Sequence, residues 1–417
     1  MPMNSRRLPK GVPNNLGERG TTVLGSPKNS SRRGWRQSSA LALAAMAGLL
    51  AVAQWGRAHE TSGKAPDGKE VFRYDTFGDE RFWTDVLKMN EVIAQAVDPT
   101  TALSVGLKVD ADALPPGILK TADLKSPATT VALLKLNAVV GLKGTVTSVG
   151  GKDTLTRVGV TCALCHSTVD DSVAPGIGHR LDGWPNRSLN PGAIIALSPA
   201  VDAEKKKVYQ SWGAGRYDPR FNQDGKSFPV LIPPAYGLAT VHHSTYTADG
   251  DISYWNNYVA VTQMGGQGVF KEPKLGIDVP AKGDDLVKPK LPALRAYQHS
   301  LAAPAAKAGS FDAAAAKRGH DVFMGAARCA SCHSGSAFTD EKTHTAQETG
   351  MEATYAARSV TKQYRTTPLR ALWQHAPYFH DGKAATLSAV VDHYDGALKL
   401  SLSAQQKQDL VEYLKSI

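Results

Sequence analysis

The sequence predicts a mainly α-helical protein made of two similar modules, with long loops and a mixed segment ahead of the first module. Three observations support this fold class. The five-residue pattern Cys-x-x-Cys-His occurs twice, at 162–166 and 329–333. Amphipathic helical patterns flank the second copy, at 313–324 and 404–415, whereas the Gly, Pro, Asn and Asp content of 161–270 indicates loops joining short helices. With 417 residues, the chain is long enough for two or three domains.

The positive charge of the chain lies mostly in its first 58 residues. The formal net charge is +10, with 48 basic and 38 acidic residues, but the segment 1–58 holds nine of the basic residues and only one acidic residue. The remainder is nearly neutral and lacks the basic, aromatic-containing runs that contact nucleic acid. We therefore expect no nucleic acid among the partners.

The segment 1–58 is predicted to be a leader that directs export. A basic stretch precedes the apolar run Ala40–Ala53, which is too short to span about 30 Å of hydrocarbon as a helix. The run suits a secretory signal cleaved after Ala53 or Ala58, and an uncleaved amphipathic anchor is the alternative. We predict a periplasmic protein that has no integral membrane span once the signal is removed.

All four cysteines belong to the two motif copies. The first copy contributes Cys162, Cys165 and His166, and the second contributes Cys329, Cys332 and His333. On a short helix, residues at i, i+3 and i+4 share a face, so both sulfurs can bond to the vinyl groups of one haem while the imidazole reaches its iron. The string is typical of c-type haem attachment, and haem iron commonly takes a proximal histidine. We expect two covalently bound haems, with His166 and His333 as proximal ligands.

Zinc, redox dithiol and disulfide sites fit these cysteines less well. A zinc ribbon needs its two cysteine pairs about 15–20 residues apart, whereas 163 residues separate Cys165 from Cys329. A thioredoxin-like pair needs a βαβ context that neither flank offers. Disulfides are compatible with an exported protein, but they leave the histidine after each pair unexplained.

The segment ahead of the first motif is mixed. Residues 79–89 show a helical pattern with apolar Phe82, Val86 and Met89. The apolar run 130–140 fits either a strand or a buried helix, because periodicity alone does not decide between them.

Composition also divides the rest of the chain. Repeated prolines and an alanine-rich end indicate a semi-rigid linker at 271–310. We therefore expect an N-terminal haem domain with loop-rich additions at 59–270, this linker, and a compact haem domain at 311–417.

The last segment resembles the cytochrome c fold. Asp312 and Ser403 are expected to cap the helices 313–324 and 404–415, which enclose the second Cys-x-x-Cys-His string. The resemblance implies that the two helices cross. Gly319 and Phe323 of the first helix would then face Leu410 and Tyr413 of the second.

A longer succession of strings resembles the bacterial di-haem cytochrome c peroxidase and MauG superfamily. The strings cover about ninety residues of the C-terminal half: Cys329–His333, Phe338–Asp340, Tyr364–Arg370, Ala376–Gly382 and Thr386–Leu387. The resemblance implies that the second haem receives its other axial ligand fourteen residues after His380, at Tyr394. It also implies a calcium ion at Thr366, although Thr367 replaces the usual proline.

The N-terminal half resembles this superfamily only in its haem string. The superfamily has a Trp-Asp-Gly-Arg-like stretch and an acid–base glutamate in this half, where the chain has Ala248–Asp251 followed by Gln263, Met264 and Gln267. Weak candidates for catalytic side chains are Gln263, Gln267, His242 and His243.

The second axial position of each haem decides between electron transfer and small-molecule chemistry. The first haem either has an open site or takes one of the candidates His179, His242, His243 and Met264. For the second haem, Tyr394 leads over Met351, His344 and His393. Candidate partners for the haem propionates are Arg180, Arg216, Arg370 and Lys383. Candidate electron stepping stones are Trp184, Trp212, Trp255 and Trp373, although tryptophan is usually a core residue.

The resemblance implies an oxidoreductase that reduces hydrogen peroxide at the N-terminal haem, with electrons passed from the C-terminal haem and supplied by a small redox protein. One alternative is a non-enzymatic periplasmic electron carrier with two six-coordinate irons. Another is a haem-dependent oxygenase of an organic substrate. Fold analogy does not separate these functions.

Overall fold

The fold is described from a computed structural model for residues 66–417. The predicted leader, 1–58, lies outside these described residues. The prediction of a mainly α-helical protein is confirmed, because helices predominate and strands occur as short two-stranded pairs. Within 66–417, no helix is both long enough and apolar enough to cross a membrane.

The helices are distributed along the whole described part of the chain. The α-helices are α1 (Gly68–Tyr74), α2 (Met89–Ala96), α3 (Pro99–Ser104), α4 (Ile118–Thr121), α5 (Pro127–Lys135), α6 (Ala163–His166), α7 (Pro191–Ala196), α8 (Ala203–Ser211), α9 (Phe221–Asp224), α10 (Ile252–Thr262), α11 (Leu291–Ser300), α12 (Ala313–Met324), α13 (Ala346–Thr349), α14 (Ala353–Ala357), α15 (Leu387–Leu398) and α16 (Ala404–Ser416). A π-helix spans Arg81–Val86, and 3-10 helices span Ala111–Ala113, Pro273–Leu275, Lys288–Lys290, Cys329–Ser331 and Leu372–Gln374.

The strands of the described residues form six two-stranded sheets. The pairs are β1 (Val109–Asp110) with β5 (Ile177–Gly178), β2 (Leu142–Val149) with β3 (Lys152–Val160), β4 (Ser167–Val169) with β6 (Arg180–Asp182), β7 (Arg216–Tyr217) with β8 (Val230–Leu231), β9 (Phe270–Glu272) with β10 (Ile277–Val279), and β11 (Thr343–His344) with β12 (Tyr364–Arg365). The pair β1–β5 is parallel and the others are antiparallel.

Two apolar cores lie in this part of the chain. The larger core draws its buried residues from Val71 to Leu294, and the smaller one from Phe323 to Leu414. We refer to residues 66–310 as the N-terminal half and to 311–417 as the C-terminal half. Each half contains one Cys-x-x-Cys-His string.

The crossing of the two long C-terminal helices is confirmed. The Asp312 side chain accepts two backbone N–H groups at the start of α12, and Ser403 caps α16 in a capping box. A Cβ at Gly319 would overlap the backbone carbonyl of Asp409, so glycine permits the helices to touch. The Phe323 and Tyr413 rings pack with centroids 5.2 Å apart.

Only one of the three apolar residues predicted to be buried in the helical pattern at 79–89 is buried. Met89 is 4% exposed, but Phe82 and Val86 are 36% and 52% exposed, and Trp83 and Leu87 are buried instead. The reason is the π-helix, in which the Leu87 N–H bonds to the Phe82 carbonyl five residues earlier, so that the period exceeds that of an α-helix.

The run 130–140 and the segment 271–310 both contribute helices to the larger core. Residues 130–135 of the run 130–140 belong to α5, so the first part of this run is a buried helix rather than a strand. The segment 271–310 is more structured than a linker, because α11 buries Leu294 and packs its Tyr297 ring 5.5 Å from Phe72 of α1. Pro292 occupies the first turn of α11, where proline starts a helix rather than breaking it.

A buried network of charges joins the two halves. Arg358, which follows α14, makes two hydrogen bonds to Asp218, at 3.0 and 3.1 Å, and two to Asp224, at 2.7 and 2.9 Å. Nearby, the Asp249 carboxylate accepts the Val360 N–H at 3.0 Å. These contacts fix the loop that follows β7 against the C-terminal half.

Candidate haem sites

The first motif forms a short helix between two strands. Strand β3 leads through Thr161 to α6, and β4 begins directly after it. The Thr161 N–H bonds to the Gly141 carbonyl at 2.9 Å, and a side chain at Gly141 would overlap the backbone of Leu164. The Cys162 and Cys165 thiols are unpaired and half-buried, and burial raises their pKa to about 12.

The His166 ring is fixed in one tautomer. Its Nδ1 lies 3.0 Å from the Pro233 carbonyl oxygen, which can only accept, so Nδ1 must carry the hydrogen. Burial lowers the pKa of His166 to about 4, which keeps the ring neutral near pH 7 and leaves Nε2 without a hydrogen. The Gly183 N–H also bonds to the His166 carbonyl at 2.8 Å. A histidine that ligates a metal through Nε2 is commonly held in this way.

The second motif repeats this arrangement on different local structure. Cys329 begins a 3-10 helix, and His333 follows it with Nδ1 3.0 Å from the Phe338 carbonyl oxygen. Burial lowers the pKa of His333, so this ring is also neutral with Nε2 free of hydrogen. Both sites therefore present two thiols and one unprotonated imidazole nitrogen.

Tyr394 lies beside the second cysteine pair. It belongs to α15 and packs on the Phe379 ring at 6.0 Å. Burial and the neighbouring Cys329 and Cys332 raise the pKa of Tyr394 to about 12. The structure thus brings the residue implied by the resemblance to the second motif.

The other candidates for the second site have different surroundings. His393 Nε2 lies 3.0 Å from the Thr349 carbonyl oxygen, and His344 Nε2 lies 3.0 Å from Thr366 Oγ1. Met351 is half-buried in the loop after α13. Cys332, Asp340 and His344 have ligand atoms within 4.8 Å of one another. The calcium ion implied at Thr366 stays a prediction.

The candidates for the first site are scattered. His179 lies at the surface with Nδ1 2.8 Å from Asp112, and His242 lies at the surface with Nδ1 2.7 Å from Glu341. His243 lines an open cavity of about 450 Å³ beside Glu341. Met264 is buried in the larger core.

Gln263 forms a hydrogen bond with a tyrosine in the N-terminal half. Its side-chain oxygen accepts the Tyr217 hydroxyl at 2.9 Å. Tyr217 is half-buried, and desolvation is the main cause of its raised pKa, with smaller contributions from Tyr209 and Cys165. Gln267 instead lies against Gly78.

Two half-buried arginines, each with nitrogen atoms shielded from solvent, show whether the residues present fit a haem. Arg187 Nε and Nη1 have no hydrogen-bond partner among the described residues, and neither does Arg365 Nε. Burial lowers the pKa of both guanidinium groups to about 10. Each guanidinium donates to one backbone carbonyl, Arg187 to His375 and Arg365 to His243, but the remaining shielded donors lack partners within 66–417. A haem propionate would supply the missing charge-assisted bonds.

These arginines lie near the two motifs. Arg187 follows Asn186, whose N–H bonds to the Cys165 carbonyl at 2.9 Å. Arg365 is two residues before Thr367, whose backbone interacts with His333. The residues present therefore fit a covalently attached haem, with propionate partners that sequence reasoning missed.

The propionate candidates chosen from sequence have other partners. Arg180 forms a buried ion pair with Asp110 at 2.6 Å. The guanidinium of Arg370 bonds to the backbone carbonyls of Gly237 and Ser336. Arg216 lies against Gly382, and Lys383 is exposed near Glu352 and Asp381. The sequence does not indicate which guanidinium groups lack a carboxylate partner in the folded protein, so Arg187 and Arg365 could be recognised only in the structure.

Two of the four candidate tryptophans meet between the halves. The rings of Trp184 and Trp373 lie edge to face with centroids 5.8 Å apart. Trp184 follows the glycine that bonds to the His166 carbonyl. Trp212 packs among aromatic residues near Tyr217, and Trp255 packs in the larger core.

Comparison with curated proteins finds three relatives. The chain is 37% identical over 123 residues to the methylamine utilization protein MauG of Methylorubrum extorquens, covering 24% of this chain and 34% of that protein. It is 31% identical over 121 residues to the MauG of Methylophilus methylotrophus, covering 24% and 36%. It is 31% identical over 148 residues to the cytochrome-c peroxidase IdrP1 of Pseudomonas sp. (strain SCT), covering 24% and 39%. The chain thus spans about a third of the length of these relatives.

Other comparisons are weaker. No family model matches the sequence. A Kuenenia stuttgartiensis hydrazine synthase structure has a TM-score of 0.35 at 19% identity, covering 50% of this chain and 78% of that chain. A MauG-like protein associated with microbial copper homeostasis has a TM-score of 0.25 at 23% identity, covering 31% and 56%. At these scores neither structure bears on the fold or the function.

The motifs and their neutral histidines are those of a c-type haem protein. The curated matches support the resemblance noted from the sequence, because over about a quarter of its length the chain is similar to two MauG proteins and a cytochrome-c peroxidase.

Proposed function

We propose that this protein is an exported, periplasmic di-haem c-type cytochrome that reduces hydrogen peroxide with electrons from a small redox protein. The observation that carries the proposal is the shared geometry of two distant motifs. His166 and His333 each donate Nδ1–H to a backbone carbonyl at 3.0 Å, which leaves Nε2 available to an iron atom. The similarity to MauG and cytochrome-c peroxidase proteins supports oxidoreductase chemistry.

The two halves have different proposed roles. Two bound haems would supply two one-electron carriers, which is the number needed to convert one peroxide and two protons to two waters. In the C-terminal half, Tyr394 completes an electron-accepting site. In the N-terminal half, Gln263 is the candidate to hydrogen-bond a small ligand at the first site. Its oxygen accepts the Tyr217 hydroxyl at 2.9 Å and its Nε2 donates to Thr262 Oγ1 at 2.8 Å and Asn222 Oδ1 at 3.1 Å, so a ligand would replace one of these partners.

Electrons are proposed to pass between the halves through a tryptophan pair. Trp373 belongs to the C-terminal half, and Trp184 lies next to the segment that supports His166. Their rings are in contact at 5.8 Å, so a single short step separates them. This contact gives the proposed transfer a direct physical route across the junction.

The first test counts haems. The double variant Cys162→Ser with Cys165→Ser should hold one haem per chain by the pyridine haemochrome assay, and so should the matched variant Cys329→Ser with Cys332→Ser. Each should lose a different spectral component. Two haems retained in either variant would remove the assignment of that motif.

The second test measures spin state in the oxidised and half-reduced protein. A high-spin, five-coordinate signal that changes when peroxide is added supports the peroxidase. Two low-spin signals that ignore peroxide would instead indicate the electron carrier. Oxygen uptake that depends on an organic substrate would indicate the oxygenase.

The third test concerns Tyr394. Replacing it with phenylalanine should alter the spectrum and potential of one haem and leave the other unchanged. Tyr378→Phe is the matched control, because it removes a tyrosine hydroxyl of the same half that already donates to the Leu372 carbonyl at 2.9 Å. Identical spectra for wild type and Tyr394→Phe would exclude Tyr394 as a ligand.

A further inference from the structure

A tyrosine and a histidine form a buried hydrogen bond across the junction between the halves. The Tyr236 hydroxyl lies 2.9 Å from His375 Nε2, and Tyr236 is only 4% exposed. Tyr236 comes three residues after Pro233, whose carbonyl binds His166. His375 follows the 3-10 helix Leu372–Gln374 of the C-terminal half. Tyr236 therefore lies close in sequence to the support of the first site, and the hydrogen bond links it to the C-terminal half.

The protonation states of the two side chains are complementary. Burial lowers the pKa of His375 to about 4, with a smaller contribution from Arg187, so the imidazole is neutral near pH 7. Burial also raises the pKa of Tyr236, so its phenol keeps its hydrogen. The hydroxyl consequently donates and Nε2 accepts, at a distance suitable for proton transfer.

The acceptor distinguishes Tyr236 from the other hydrogen-bonded tyrosines of the described residues. The hydroxyls of three of them donate to backbone carbonyls, namely Tyr258, Tyr364 and Tyr378. Tyr217 donates to the Gln263 amide oxygen, and Tyr297 donates to Asp182. Carbonyl and amide oxygens are not bases near pH 7, and Asp182 is already paired with Arg73 at 2.6 Å. Only the imidazole at Tyr236 is a neutral base able to take up the phenolic proton.

Tyr236 is also next to the proposed electron route. Its ring lies 6.3 Å from that of Trp184, which in turn contacts Trp373. An oxidising equivalent on Trp184 would therefore be one aromatic contact away from the Tyr236 phenol.

We propose that Tyr236 and His375 are a proton-coupled redox pair that stores one oxidising equivalent outside the haem sites. Tyr236 gives one electron, through Trp184, to the oxidant that peroxide generates at the first site, and its phenolic proton moves to His375 Nε2. The products are a neutral tyrosyl radical and an imidazolium ion. An electron from the donor protein later reduces the radical, and the proton returns from His375 to the phenolate oxygen. This inference rests on the proposed function for its natural oxidant.

The neighbouring arginine makes the proton transfer reversible. Arg187 Nη2 donates to the His375 carbonyl at 3.4 Å, so a positive charge on His375 is opposed by a nearby guanidinium. The imidazolium is therefore favourable only while the tyrosyl radical persists, and reduction of the radical restores the neutral pair.

The test is electron paramagnetic resonance of the full-length, haem-loaded protein frozen after oxidation. Two oxidants are used: hydrogen peroxide, and a flash-excited ruthenium tris-bipyridine complex with persulfate, which requires no peroxide chemistry. Wild-type protein should give a tyrosyl radical whose signal narrows when the protein contains ring-deuterated tyrosine. Tyr236→Phe should lose this signal. Tyr378→Phe, which removes a hydroxyl of equal hydrogen-bond length, should keep it.

A second variant tests the role of the base. His375→Gln preserves a hydrogen-bond acceptor but cannot take up a proton, and it should slow radical formation by about a hundredfold. Any one of three results of the flash experiment would overturn the proposal. The radical signal could have equal intensity in wild type and Tyr236→Phe, its rate of formation could be unchanged in His375→Gln, or no radical could form. If peroxide leaves both haem spectra unchanged while the flash experiment still yields the Tyr236 radical, the proposed function fails and the redox pair stands. Circular dichroism confirms that each variant is folded.

Discussion

Replacing Arg358 with methionine should destabilise the protein, because it removes the ion pairs that Arg358 forms across the junction between the two halves. The Arg358 side chain is 8% exposed and the Asp218 side chain is fully buried, whereas Asp224 is 32% exposed. Methionine fills similar space but makes none of the four hydrogen bonds to the carboxylates, nor the fifth, which Arg358 donates to the Lys226 carbonyl at 3.0 Å. The Asp218 carboxylate then remains in the interior without its counter-ion.

The magnitude depends mainly on Asp218. Removing one partner of a buried ion pair costs about 3–5 kcal/mol, because the other charge is left uncompensated. Asp218 keeps two backbone donors, the Arg220 N–H at 2.9 Å and the Phe228 N–H at 2.6 Å, which favours the lower end of this range. The partly exposed Asp224 adds no more than about 1 kcal/mol. We therefore expect a loss of about 3 kcal/mol in the free energy of unfolding.

Urea denaturation followed by circular dichroism measures this loss. The double variant Arg358→Met with Asp218→Asn should recover part of it, because the stranded charge is gone. A single variant whose free energy of unfolding lies within about 1 kcal/mol of wild type would refute the reasoning. A double variant less stable than the single one would show that the carboxylate itself contributes through its backbone donors.

Three further changes test the fold and the electron route. Burial raises the pKa of Asp79 from 3.8 to about 9, so between these pH values the acid is neutral in the folded protein and ionised in the unfolded chain. The stability of the wild-type protein should therefore fall as the pH rises through this range. Asp79→Asn should flatten this dependence in thermal melts recorded at several pH values. Gly319→Ala pushes a methyl group into the Asp409 carbonyl and should cost about 1–3 kcal/mol in urea unfolding, whereas an unchanged midpoint would show that the helices can separate freely. Trp184→Phe should slow electron transfer from the second site to the first in stopped-flow absorbance, and an unaltered rate would exclude the Trp184–Trp373 contact as the route.

Local features of the site could be predicted from the sequence. The Cys-x-x-Cys-His strings specify their own geometry over one helical turn, and the caps at Asp312 and Ser403 depend on neighbouring residues alone. The contact at Gly319 followed from the cytochrome c resemblance. These predictions succeeded because each rests on short-range chemistry or on a family pattern.

Features built from distant segments could not be predicted. The carbonyl that fixes His166 belongs to Pro233, 67 residues away, and any residue could supply a carbonyl. Arg187 and Arg358 look alike in sequence, yet one lacks a carboxylate and the other binds two. The helix α11 was hidden because prolines that begin helices and prolines in linkers have the same composition.

The environment of the first thiol pair constrains how the proposed protein can be assembled. With the pKa of Cys162 and Cys165 moved from 9.0 to about 12, the folded half contains almost no reactive thiolate. If haem is attached as proposed, thioether formation at these two sulfurs is therefore expected to come before the burial of this motif, while the thiols can still ionise.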